Sequence, residues 1–192
     1  MTGDHQDISG LVEAVANIDC HQCEAEVDVS DVPPFSSFNC PECGALLPVP
    51  GLLKNFVLLR ELGHGAMGSV YLGFDQTLQR QVAIKVMHRE FGNDPAFVNN
   101  FVREARALAA LNHRNVVQVY SCGQVGTQPY IVMELVDGGG LEEQMNSGEP
   151  MDEAEALRVG LEAARGLEAA NVIGLIHGDV KPENILYDKR GA

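Results

Sequence analysis

Apolar residues between 56 and 87 come in short runs with a period of two. Phe56-Val-Leu-Leu, Ser69-Val-Tyr-Leu and Gln81-Val-Ala-Ile-Lys-Val-Met87 are each bounded by glycine or polar turns, a pattern that predicts β-strands. In the last run the alternation sets Ala83 and Lys85 on one face, and Val82, Ile84 and Val86 on the other. The period then changes. From Pro95 onward, Phe97, Val98, Phe101, Val102, Ala105, Leu108 and Leu111 recur at helical spacing, so Pro95 opens a helix. Residues 116–120 and 130–134 return to strand character, and Gly138-Gly-Gly140 is a break. Residues 153–170, rich in Ala and Leu with small residues on most faces, read as a helix buried in a larger body. Ahead of Phe56 the chain divides into a mobile acidic leader (1–17), a small cysteine module (18–49) and a linker (50–55) marked by Pro50 and Gly51. No internal repeat of 20–50 residues is visible.

The 192 residues are 45% hydrophobic, enough for a packed core, and carry a formal charge of −14. That acidity argues against a broad nucleic-acid or anionic-membrane surface. The N-terminus lacks the basic-then-apolar pattern of a secretory signal, and no run of 18 apolar residues occurs. The expectation is a cytoplasmic protein with reduced thiols and no membrane contact in this segment. Its five cysteines are then used for something other than disulfides. Cys122 stands alone and reads as a small buried or half-buried residue.

The other four pair as Cys20-His-Gln-Cys23 and Cys40-Pro-Glu-Cys43, a C-x2-C-x16-C-x2-C spacing. Two cysteines three apart on a tight turn reach one ion, and two such turns complete a tetrahedron. A redox CxxC site needs a single pair near a βαβ unit, and unligated thiols would leave so short a segment without a core of its own. The module resembles a zinc ribbon, which implies a structural Zn2+ held by Cys20, Cys23, Cys40 and Cys43. Gly44 favours a turn whose amides face the thiolates; Glu24 takes the corresponding place in the first turn, which should be the looser half. His21 could replace one of the cysteines as a ligand, but reads first as a solvated neighbour. The acidic surroundings favour a protein contact for this module over a nucleic acid.

Three further motifs bear on phosphate chemistry. Gly63, Gly65 and Gly68 form a GxGxxG turn, a weak signal alone and one shared with dinucleotide-binding folds. Here a strand rather than a helix follows it, which disfavours the dinucleotide reading and suits a two-stranded lid over phosphates. Lys85 places a lone cation in an apolar strand 17 residues beyond Gly68, and could also be an edge lysine reaching solvent. Residues 177–184 read His-Gly-Asp-Val-Lys-Pro-Glu-Asn, with an aspartate, a lysine and an asparagine close together.

In order and spacing these motifs resemble a eukaryotic-like serine/threonine protein kinase of bacterial type over residues 56–192. The fold class implied is α+β: an N-lobe (56–136) of antiparallel sheet plus one helix, and a partial helical C-lobe (137–192), preceded by the small zinc ribbon. The resemblance implies ATP, Mg2+ and a protein hydroxyl of Ser or Thr as reaction partners. It implies that Leu62, Gly63, Gly65, Gly68, Val70 and Ala83 line the nucleotide, with Val57 packing nearby. Lys85 would bind phosphate and pair with Glu104 on the helix; Glu90 lies too soon after the strand to compete. Met133 would be the gatekeeper, and Glu134 to Val136 the hinge whose backbone bonds adenine. Asp179 would take the hydroxyl proton, Lys181 offset phosphate charge, Asn184 bind magnesium, and His177 support the loop from beneath.

Two departures stand out. Gly178 occupies the place where the family usually carries an arginine that docks an activation-loop phosphate, so control by loop phosphorylation is not expected. The Asp-Phe-Gly segment that would supply a second magnesium ligand is absent from these 192 residues. The expectation is therefore a kinase fragment with little activity alone. A non-catalytic nucleotide-binding adaptor with a zinc-ribbon interaction module is the alternative.

Overall fold

The computed structural model describes residues 12–148 and 150–189, the Arg89 side chain excepted, so residues 1–11 of the expected leader lie outside it. Two compact units divide the chain: Met1–Val98 with Gly123–Val132, and Asn99–Cys122 with Met133–Ala192.

The first unit begins with β1 (Glu13–Ala14), followed by two small hairpins: β2 (Asn17–Asp19) with β3 (Glu26–Asp28), and β4 (Ser37–Asn39) with β5 (Leu46–Pro48). These hairpins correspond with an offset of 20 residues, which corrects the reading that no repeat is present. Cys20 matches Cys40, Cys23 matches Cys43, and the buried Val27 and Val29 match the buried Leu47 and Val49. The turns match as well. Cys20 N–H donates to Ala25 O (2.9 Å) and Glu24 N–H to Cys20 O (2.8 Å), as Cys40 N–H does to Ala45 O (2.7 Å) and Gly44 N–H to Cys40 O (2.8 Å). Glu24 adopts φ +60° beside Gly44 at φ +75°, so the first turn is as closed as the second, at a steric cost of about 1 kcal/mol for the side chain it carries. The repeat escaped the sequence reading because lone substitutions such as His21/Pro41 and Asp28/Pro48 share no chemistry.

The expected linker is also a strand. β6 (Gly51–Leu53) pairs antiparallel with β1 on one side and β7 (Phe56–Gly65) on the other. β8 (Gly68–Asp75) and β9 (Arg80–Met87) continue the antiparallel series. With β10 (Val119–Val125) and β11 (Gln128–Met133) the sheet has seven strands among the described residues, in the order β1-β6-β7-β8-β9-β11-β10. Residues 12–17 are thus part of the fold, with Val12 buried in the same core as Leu53, Phe56, Leu58, Tyr71, Val82, Ile84, Val86, Tyr130 and Val132. Leu58, Val82 and Ile84 are completely buried, each contributing roughly 1.5–3 kcal/mol relative to an exposed position. The β8–β9 turn is closed by the buried Asp75, whose Oδ1 accepts from Thr77 N (3.0 Å), Leu78 N (3.1 Å) and Asn55 Nδ2 (3.3 Å).

A single-turn helix, α1 (Arg89–Gly92), precedes α2 (Pro95–Ala110), the helix expected from Pro95. The second unit adds α3 (Leu141–Asn146) and α4 (Glu153–Val172), the latter capped by Asp152, which accepts from Glu155 N (2.7 Å). Gly166 of α4 lies against the chain at Asn115, whose carbonyl a Cβ would approach to 2.5 Å. Val159 and Gly166 are the buried positions of this helix, whereas Leu157 and Leu161 are exposed, so it is less enclosed than its composition suggests.

Candidate functional site

The GxGxxG segment is the tip of the β7–β8 hairpin, turning at Ala66-Met67 with Gly65 opposite Gly68. Its glycines serve different ends. A Cβ on Gly68 would lie 2.2 Å from Val86 O, so this glycine lets β8 approach β9. A Cβ on Gly63 or Gly65 would meet nothing within 4 Å, leaving open space along the hairpin. Register irregularities between Leu58 and Arg60 and between Glu61 and Gly63 twist this end of β7 and leave Leu62 40% exposed. His88, which the sequence reading passed over, latches the tip: its N–H donates to Met67 O (3.0 Å) and its Nε2 lies 3.0 Å from Gly65 O. No sequence signal marks it, because its partners are backbone carbonyls some 20 residues upstream.

Val70 pairs with Gly63 on β7 and with Lys85 on β9, and Leu72 pairs with Ala83. Directly opposed residues of an antiparallel sheet share a face, so Val70, Ala83 and Lys85 lie together under the hairpin. Tyr71, Val82, Ile84 and Val86 occupy the opposite face, in the core. Glu104 of α2 is exposed, and its neighbour Ala105 is the buried position of the helix.

In the second unit, Met133, Glu134 and Val136 are half-buried at the end of β11 and just beyond it. Glu134 N–H donates to Gln118 O (2.9 Å), and its Oε2 accepts from Gln118 N (3.3 Å). The three glycines at 138–140 then run beside residues 185–187. Gly138 N–H donates to Tyr187 O (2.8 Å), Tyr187 N–H to Gly139 O (2.9 Å) and Leu141 N–H to Ile185 O (2.9 Å). A Cβ on Gly138 would come within 2.2 Å of Tyr187 O, so a glycine is required there. The Lys189–Asp137 ion pair (2.5 Å) closes the same junction. Residues 134–136 and 177–184, about 45 apart in sequence, are thereby joined in one unit.

Within that loop, Asp179, Lys181 and Asn184 converge. Lys181 Nζ lies 3.2 Å from Asp179 Oδ2, and Asn184 Nδ2 donates to Asp179 O (2.8 Å) and Oδ2 (3.1 Å). Asn184 ends a 3-10 turn begun at Pro182, which supplies the fixed φ such a turn needs. With the amide nitrogen turned to Asp179, the Asn184 Oδ1 is the atom offered to a cation. The Lys181 ammonium, then Asn184, hold the Asp179 carboxyl below the ordinary carboxylate range. His177 is exposed rather than packed beneath the loop; its Nδ1 accepts from Asp179 N (3.3 Å). Gly178 takes φ +75°, a conformation that disfavours a side chain.

The four-cysteine site is self-contained in the first unit. All four Sγ atoms lie within 4.8 Å of one another, with Cys20–Cys43 at 3.6 Å and Cys23–Cys40 at 3.8 Å. Four thiolates around one tetrahedral ion at ~2.3 Å would stand ~3.8 Å apart, so the set fits a single metal and leaves it no open position. Backbone N–H groups of Cys23 and Gln22 bring the Cys20 thiol down to about 6. Although the Ala25 N–H favours its thiolate, Cys23 is pushed up to about 12 by the Cys20 and Cys43 sulfurs and by burial. Three or four thiolates cannot crowd together without a cation to share. Cys122 is half-buried and apart from this cluster.

Residues 56–192 match the family model described as a protein kinase domain, and the chain belongs to that family. Among its relatives, the serine/threonine-protein kinase PksC of Streptomyces coelicolor is 42% identical over 138 residues, 68% of this chain and 25% of the relative. PknL of Mycobacterium tuberculosis is 40% identical over 152 residues, 78% of this chain and 38% of the relative. The chain therefore spans about a quarter to two-fifths of the length of these kinases. The crystal structure of the Mycobacterium tuberculosis PknI kinase domain superposes with a TM-score of 0.64 at 29% identity, covering 71% of this chain and 56% of that one. The fold is kinase-like, with an antiparallel N-lobe sheet; the four-cysteine module lies ahead of the matched residues. No helix among the described residues is long and apolar enough to cross a membrane.

Proposed function

We propose that this chain carries the nucleotide-binding lobe and catalytic loop of a cytoplasmic, ATP-dependent protein serine/threonine kinase, with a zinc ribbon as a structural module. The observation that carries the reading is the convergence of Lys181 and Asn184 on Asp179. Asp179 is held ionised by these neighbours, the state a proton acceptor requires. Its carboxylate takes the proton of a Ser or Thr hydroxyl as the new oxygen–phosphorus bond forms and the bond to the departing ADP oxygen breaks. Lys181 offsets charge on the transferring group, and Lys85 that on the remaining phosphates. Val70 and Ala83 cover the base, and the open sides of Gly63 and Gly65 leave room for phosphates. Gln118 already occupies the Glu134 N–H, so the Glu134 carbonyl and the Val136 backbone are the hinge groups left for adenine. Asn184 Oδ1 would hold magnesium, a hard cation that neutralises phosphate charge when bound. Glu104 would pair with Lys85. Cys20, Cys23, Cys40 and Cys43 would hold Zn2+.

Isothermal titration of the chain with ATP and Mg2+, beside Lys85→Met and Asn184→Ala variants, tests this. Binding by the parent chain that weakens at least tenfold in Lys85→Met supports it, since a charge-assisted phosphate contact is worth about 1.5–3 kcal/mol. Equal binding by parent and both variants would refute it.

A further inference from the structure

The cysteine module is inserted into the catalytic sheet. The chain leaves that sheet after β1, makes both metal turns, and re-enters it as β6, the direct neighbour of glycine-hairpin strand β7. The stretch joining the two metal turns carries Phe35, whose backbone adopts φ +64°. A bulky residue in this region is strained, and such strain persists only where the surroundings impose it. The surroundings here are clear. Phe35 N–H donates to Val49 O (2.7 Å), and Val49 N–H returns to Ser36 O (2.8 Å), closing the segment that contains the second metal turn. The Phe35 ring lies 5.4 Å, centroid to centroid, from Tyr71 of β8. A Cβ on Gly51 would come within 3.0 Å of both Phe35 Cζ and Val12, so ring, β1 and β6 are in mutual contact.

Tyr71 is 2% exposed and sits between Val70 and Leu72, on the face opposite Lys85. We infer that Phe35 is a positioning residue for the nucleotide hairpin, bracing β8 from behind, and that metal in the four-cysteine site holds Phe35 in place. This rests on the zinc and nucleotide readings above. The physical step is simple. β2–β3 and β4–β5 are hairpins of three-residue strands that share only a small cluster of Val27 and Leu47 with Ile18, Phe38 and Ala45, too little to be stable unaided, so a shared ion would be what locks them together. Without that ion the strained Phe35 backbone relaxes, its ring leaves Tyr71, and β7–β8 loses its backing.

The experiment uses the 192-residue chain as parent and as Phe35→Ala and Phe35→Tyr, each zinc-loaded and zinc-stripped. Zinc content, hydrogen exchange over residues 56–75 and ATP affinity are measured together. Stripping zinc from the parent, or truncating Phe35 with zinc retained, should speed exchange across 56–75. Each should weaken ATP binding roughly two- to tenfold, the equivalent of one aromatic contact. Phe35→Tyr should restore both, and stripping zinc from Phe35→Ala should add little, because the two perturbations act on one contact. Parent-like exchange in zinc-loaded Phe35→Ala, or an additive loss on stripping it, overturns the inference. A parent that binds no zinc overturns the inference and the zinc reading together. A parent that binds zinc but not ATP overturns the kinase reading, and the exchange data then decide alone whether Phe35 braces the hairpin.

Discussion

Replacing each glycine of the hairpin by alanine separates what the loop does for the fold from what it does for a ligand. At Gly68 the new methyl would lie 2.2 Å from Val86 O and 2.8 Å from Met87 Cα, both backbone atoms of the adjacent strand that cannot swing aside. The β8–β9 ladder must part locally, and overpacking of this kind costs about 1–3 kcal/mol. For a chain of this size that is a fall in Tm of roughly 2–12 °C. At Gly63 and Gly65 the methyl meets nothing within 4 Å, and neither residue has the positive φ that would penalise it. Alanine there narrows the unfolded ensemble, which contributes about 0.4–1 kcal/mol in favour of folding. Differential scanning fluorimetry without nucleotide should rank Gly68→Ala well below the parent, with Gly63→Ala and Gly65→Ala at or slightly above it. Titration with ATP and Mg2+ should reverse the emphasis, the latter two losing affinity despite unimpaired folding. Equal destabilisation of all three, or an unchanged melt for Gly68→Ala, would refute the division of roles.

Two further outcomes follow from the geometry. Lys181→Met should raise the Asp179 pKa back toward the ordinary carboxylate value, observable by carboxyl NMR titration; because the folded pKa is depressed, the stabilisation it represents is present above the unfolded value and lost as pH falls through the folded one. An unmoved titration would show that Lys181 is not what holds the charge. Asp75→Ala should destabilise by about 1–3 kcal/mol in a denaturant melt, since it strips the β8–β9 turn of the buried acceptor for two backbone N–H groups; a parent-like midpoint would contradict the role assigned to that turn.

The local chemistry of this protein was written in residue order. Alternation along Gln81–Met87 determined which residues share a face with Lys85, Pro95 determined where α2 begins, and the cysteine spacing determined a four-thiolate set. These are consequences of the strand period, of proline's fixed φ and of the reach of a three-residue turn, all of them short-range. Tertiary structure decided the rest. Gly51–Leu53 reads as a proline-marked linker, yet it is a strand because β1 and β7 offer ladders on both sides of it. Along the apolar stripe of α2, packing buries Ala105 and leaves Phe97, Phe101 and Leu108 half-buried. His88 and Phe35 carry no motif, and each matters through a partner 21 to 36 residues away, Met67 O for one and Tyr71 for the other. Periodicity reports which face of an element is apolar; only packing determines what that face meets.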